Sequence, residues 1–152
     1  MFTLTVTTRI PASAEAVFDY LVDFSNNKEW QSGIDSIEWT SPPPIQVGST
    51  YRQKMTYKGV VTLYEVTALR PGSAITVKSQ PGAAIPTTVT RTVQKLDASN
   101  CRVSVDVVGE LKGLRRITTP LLRRTVRRSI EADYKRLKLQ MEAAGDDPPR
   151  SP

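Results

Sequence analysis

At 152 residues, with 39% apolar and 24% charged side chains, the chain has the size and composition of one soluble globular domain, which would bury roughly 70% of its unfolded surface. It has no histidine and a single cysteine, Cys101. This excludes imidazole metal sites, thiolate cages, Ser–His or Cys–His nucleophiles and an internal disulfide. The net charge of +6 is concentrated, because residues 112–138 hold ten Lys and Arg against two acids, Glu131 and Asp133.

The opening "MFTLTVTTRIP" alternates apolar and hydroxyl side chains, which predicts a half-buried strand ending at Pro11. It has neither a basic head nor a continuous apolar stretch, so we expect no secretory leader. With a lone cysteine, the expected location is cytoplasmic. Ser13 stands where a helix N-cap belongs, and Val17, Phe18, Leu21 and Phe24 then share one helical face. "DFSNNKEW" breaks that helix and suits a turn, or a short second helix capped by Ser25. Residues 34–39 read as extended, and "TSPPPIQVGS" as a loop.

From Ser49 the pattern is strand after strand: 49–57, 59–69, 73–80, 87–96 and 101–109. "YKG", "RPGS", "PGAAIP" and "DASN" separate them, all of hairpin length, so neighbouring strands must be antiparallel. Pro120 fits the first turn of a final helix running to about Ala144. The expected organisation is one domain over 1–144 with a frayed tail over 145–152. The order β-α-α-β-β-β-β-β-β-α implies an α+β fold with a curled seven-stranded antiparallel sheet. A long amphipathic helix lying in its concave face leaves space between the two layers.

Four segments carry a family resemblance. "RIPASAEAVFDYLVDFSNNKEWQSGI", "VGSTYRQKM", "YEVTALRPGS" and "PLLRRTVRRSIEADYKRLKLQME" resemble the polyketide cyclase/dehydrase-like branch of the START/Bet v 1 (SRPBCC) superfamily. The resemblance spans nearly the whole chain. It implies a helix-grip fold, in which the sheet wraps the C-terminal helix around an apolar cavity. Members bind lipids, sterols, polyketides or other hydrophobic small molecules, and a minority are cyclases or aromatases.

At about 100° per residue, and taking Val126 as zero, Leu122, Ile130, Leu137 and Met141 of the last helix fall within about 60°. Arg124, Arg127, Arg128, Glu131, Lys135 and Lys138 occupy the opposite half. The helix is thus a cover with a basic wet side. That side offers weak contact with an anionic membrane surface, but no base-stacking aromatics or reading motif that would point to nucleic acid. Asp133 projects into the apolar stripe, with Tyr134 at its margin. A carboxylate there is either a structural ion pair or a cavity-facing anchor or acid/base.

A partner for Asp133 is available in Arg91, provided that Val89, Arg91 and Val93 face inward rather than Thr88, Thr90 and Thr92; alternation leaves this open. Elsewhere charged neighbours fix the parity. Tyr51, Gln53, Met55 and Tyr57 point inward opposite Arg52, Lys54 and Lys58, as do Tyr64, Val66, Ile75, Val77, Val103, Val105 and Val107. Trp30 is expected to plug or cap one end of the cavity. The expected ligand-binding set is Tyr51, Gln53, Met55, Tyr64, Arg91, Val105, Val126, Ile130, Asp133 and Leu137. The expected occupant is a hydrophobic small molecule, with no metal or cofactor, in a monomer or homodimer. The alternative is a cyclase, aromatase or dehydratase in which Tyr51, Tyr64, Arg91 or Asp133 moves protons.

Overall fold

The computed structural model describes residues 2–110 and 120–146, with no account of the side chains at 145 and 146. Seven strands form one antiparallel sheet in the order β1-β7-β6-β5-β4-β3-β2. They are β1 (Phe2–Ile10), β2 (Ile34–Trp39), β3 (Thr50–Met55), β4 (Val61–Arg70), β5 (Ala74–Ser79), β6 (Thr87–Asp97) and β7 (Asn100–Gly109). Two α-helices, α1 (Ala14–Val22) and α2 (Pro120–Asp146), flank them, so the fold is α+β of the expected helix-grip kind.

Alternation sets the faces of the sheet. Leu4, Val6 and Ile10 of β1 are buried, while Thr5 and Thr7 stay outside. There they bond across to β7, Thr5 to Asp106 at 2.6 Å and Thr7 to Ser104 at 3.2 Å. One face therefore packs the core and the other holds hydroxyl ladders. In β4 a bulge between Val66 and Ala68 shifts the parity, so that Leu69 packs inward with Val66 although the two are three residues apart.

α1 starts where Ser13 accepts a hydrogen bond from the Ala16 amide, and it buries Ala14, Val17, Phe18 and Leu21. Phe24 is not on this helix. The chain breaks at Asp23, whose carboxylate accepts from the Ser25 amide and so caps a short 3-10 helix, Phe24–Glu29. The expected second helix is present, but Asp23 caps it, and the Ser25 hydroxyl donates to that same carboxylate. Tyr57 also departs from expectation. β3 ends at Met55, and a turn with left-handed backbone at Lys58 (φ 54°) and Gly59 (φ 60°) leaves Tyr57 73% exposed.

α2 lies as projected. Tyr134, Leu137 and Met141 are buried and Val126 and Ile130 half-buried, whereas Arg124, Arg128, Glu131 and Lys135 are exposed. Arg127 donates from Nη1 to the carbonyl of Thr5 on the edge strand β1 at 3.0 Å. The expected tail lies beyond the described residues from 147 onward, as do the basic residues Lys112, Arg115 and Arg116.

The buried residues form two clusters. One joins α1, β1, β7 and the later turns of α2 through Leu21, Trp30, Val103, Tyr134 and Leu137. The other joins Phe24 to β2–β5 through Ile37, Tyr51, Val66, Ile75 and Val77. Val22, Leu69 and Val89 touch both.

Candidate functional site

Where the two clusters meet, the layers do not close. A hollow of about 310 Å³ is walled by Phe24, Asn27 and Gln31 below, and by Tyr51, Gln53, Met55, Tyr64, Val89, Arg91, Val105 and Val107 from the sheet. Ile130 and Tyr134 of α2 complete it. Its volume lies at the small end of ligand pockets, which run from about 300 to 1,000 Å³. Val107 also lines a neighbouring apolar groove of about 180 Å³ with Phe2, Ile85, Leu122 and Val126. The groove follows the same face of α2 toward its N-terminus.

One wall is a continuous aromatic stack with a cation inside it. Tyr64 stacks on Tyr51 (5.1 Å between centroids, 14° between planes), and Tyr51 stacks on Phe24 at 5.2 Å. The Arg91 guanidinium carbon sits 4.2 Å from the centre of Phe24 and 5.0 Å from that of Trp30. Trp30 in turn meets Tyr134 edge-on at 4.9 Å. Such contacts hold planar groups apart at fixed spacing, which is how an apolar wall keeps its shape without filling the space beside it.

Arg91 points inward and is 2% exposed. Its Nη1 donates to Asn27 Oδ1 at 3.0 Å and to the Leu21 carbonyl at 3.3 Å, tying the sheet to the end of α1 and the 3-10 helix. Its Nε has no partner among the described residues, and neither do the Tyr134 hydroxyl and Trp30 Nε1. The Tyr134 hydroxyl lies beside the Arg91 guanidinium without a hydrogen bond of ordinary geometry.

Burial raises the pKa of all three wall phenols. For Tyr51 it does so strongly, with Tyr64 adding to the rise and Arg91 opposing it. Tyr64 is raised by burial, and Tyr134 by burial against the counter-pull of Arg91. All three are therefore protonated hydrogen-bond donors at neutral pH, and none is a base. Among the described residues no carboxylate lines the hollow.

Most of the expected residues come together here: Tyr51, Gln53, Met55, Tyr64, Arg91, Val105 and Ile130 share the wall, and Val126 lies in the adjoining groove. Two do not. Leu137 is fully buried in the first cluster, beyond the hollow. Asp133 faces the loop after the 3-10 helix. It accepts from the Ser32 amide and hydroxyl, each at 3.1 Å, and pairs with Arg136, not with Arg91. At that level the inward stripe of α2 meets this loop rather than the sheet, so a carboxylate in the stripe finds an amide and a guanidinium. Phe24, Asn27 and Gln31 were not anticipated. Trp30 is buried in the first cluster and is not among the residues lining the hollow.

Residues 1–142 match the family model described as polyketide cyclase / dehydrase and lipid transport, and the chain belongs to that family. Among solved structures, it is similar to a START superfamily protein from Mycobacterium smegmatis. That match has 17% identity and a TM-score of 0.76, covering 93% of this chain and 98% of the other. The di-domain ARO/CYC BexL from the BE-7585A biosynthetic pathway matches at 14% identity with a TM-score of 0.77, covering 97% of this chain and 48% of BexL. XoxI from Bacillus cereus matches at 14% identity with a TM-score of 0.73, covering 97% and 100%. No curated protein matches. At these identities the structural likeness concerns the fold alone.

Proposed function

We propose that this member of the polyketide cyclase / dehydrase and lipid transport family binds one compact hydrophobic molecule between sheet and helix, and that it does so as a carrier or receptor rather than as a catalyst. The observation that carries this reading is the roughly 310 Å³ hollow, walled by stacked rings and aliphatic side chains, with Asn27, Gln31, Gln53 and Arg91 among them as polar groups. Removing ~300 Å² of apolar ligand surface from water at ~25 cal/mol/Å² yields about 7–8 kcal/mol before the entropy of association is subtracted. Affinity of this origin needs little polar recognition. The size favours two or three fused rings over a two-chain lipid.

The cyclase reading draws on the likeness to BexL and on the closeness of the Tyr134 hydroxyl to the Arg91 guanidinium. Against it stand the want of a cavity carboxylate among the described residues and three phenols whose raised pKa values leave no general base at neutral pH.

The experiment is fluorescence titration with the neutral probe N-phenyl-1-naphthylamine. The wild-type chain should bind it with enhanced emission. Val107→Phe, which puts a ring where the hollow and the groove meet, should weaken binding at least tenfold while leaving the fold intact. Equal binding by both proteins would overturn the reading.

A further inference from the structure

The wall of the hollow contains a charge that its own contacts do not answer. A guanidinium has five N–H donors and stays protonated at any pH a protein tolerates. Arg91 is 2% exposed, yet the partners of its Nη1 are the neutral Asn27 amide oxygen and the Leu21 carbonyl, and its Nε has none among the described residues. The ion pairs among the described residues are Lys54–Asp35, Lys95–Glu15, Arg127–Glu131 and Arg136–Asp133. Arg91 is in none of them. The faces of Phe24 and Trp30 offset part of the lost hydration, but an aromatic quadrupole is a weak substitute for an anion. A role as a structural tie between the sheet and the 3-10 helix accounts for the Nη1 bonds. It leaves unexplained why the Nε and the Tyr134 hydroxyl, buried atoms of two residues that line the hollow, are without partners among the described residues.

We propose that the ligand of this hollow carries one carboxylate, received by Arg91 with the Tyr134 hydroxyl as second donor, while its flat apolar body lies along Tyr64, Tyr51 and Phe24. An incoming carboxylate oxygen satisfies the stranded donors and gives the buried cation its counter-ion, so its desolvation is offset where a neutral group would gain only a dipole. Tyr134 is suited to this role because its raised pKa keeps it a donor. Elsewhere in the lining, the Gln53 amide nitrogen donates to the Met55 sulfur at 3.2 Å, a weak acceptor that leaves the amide available for a second polar group on the ligand.

This inference rests on the binding reading above, and one competition experiment separates the two. With N-phenyl-1-naphthylamine bound to the full chain at neutral pH, 2-naphthoate and the isosteric neutral 2-naphthamide are each titrated in. The acid should displace the probe at a concentration at least tenfold lower than the amide, since hydrogen bonds to charged groups discriminate on this scale. In Arg91→Gln that ratio should fall toward one, whereas Arg91→Lys, which keeps the charge, should retain part of it. In Tyr134→Phe it should fall by a few-fold. A structural tie alone would change the affinity for both competitors together and leave the ratio alone. A ratio near one in the wild-type chain overturns the inference even if the probe binds well. So does an unchanged ratio in Arg91→Gln or, should that variant fail to fold, in Tyr134→Phe. If the neutral probe does not bind at all, the reading beneath fails, and this inference fails with it.

Discussion

Along α2, Leu137 and Met141 press into closed packing, while Ile130, two turns earlier, looks across a hollow toward the same sheet. The side chains of α2 do not separate these two regions, since aliphatic residues of the helix face strand valines in both. What differs is α1. Its Val17, Phe18 and Leu21 fill the space under the later turns of α2, and the helix stops at Val22, so nothing of helical bulk lies between Ile130 and the valines of β6 and β7. In place of a helix, the 3-10 segment presents the face of the Phe24 ring and the amide oxygen of Asn27 to Arg91. The hollow is thus a consequence of where a nine-residue helix ends.

Substitutions at matched positions break or sharpen this contrast. The largest effect should come from Leu137→Ala in the packed region, costing about 2–5 kcal/mol in urea unfolding because the closed surroundings cannot collapse onto the gap. A loss below about 1 kcal/mol would mean that this end is also loose. Next come two small-to-large changes on the same strand. Val103→Phe, at a fully buried site, should cost about 1–3 kcal/mol, whereas Val107→Phe should cost less than about 1 kcal/mol because it grows into empty space. Equal costs would erase the distinction.

Tyr134→Phe, at the boundary, removes a buried hydroxyl without a partner among the described residues. It should leave the ligand-free protein as stable or raise stability by about 1 kcal/mol, as read from the urea midpoint. The smallest effect should be at Asp23, where α1 stops. Burial alone would raise its pKa, but hydrogen bonds from Ser25 and from Trp39 Nε1 prevail and hold it below the ordinary 3.8. A group depressed on folding adds stability above its unfolded pKa and loses it as pH falls through the folded one. Asp23→Asn should therefore cost less than about 1 kcal/mol at pH 7, with the difference from wild type vanishing in acid below 3.8. A gap that persists there would assign the effect to something other than charge.

The strands were legible in the sequence because charge marks one face. Lys78 opposite Ile75 and Val77, or Arg102 and Asp106 opposite the β7 valines, leaves no ambiguity about which side is wet. β6 was opaque for the opposite reason. Its outward face is threonine, its inward face contains Arg91, and a buried arginine inverts the polarity rule. Phe24 and Asn27 were missed because a 3-10 helix has its own period, so continuing the α-helical wheel past Asp23 misplaced Phe24. Asp133 sat where the wheel put it, but a wheel describes direction and not what lies opposite, and here that was the Ser32 loop.

The bond from Arg127 to the Thr5 carbonyl bears on self-association. A strand at the rim of a sheet invites a second chain to continue the ladder, and β1 offers such a rim. Through Arg127, α2 occupies one acceptor of that rim, so the Thr5 carbonyl is not open to a further strand. One arginine on the wet side of α2 thus also fastens that helix to the edge of the sheet.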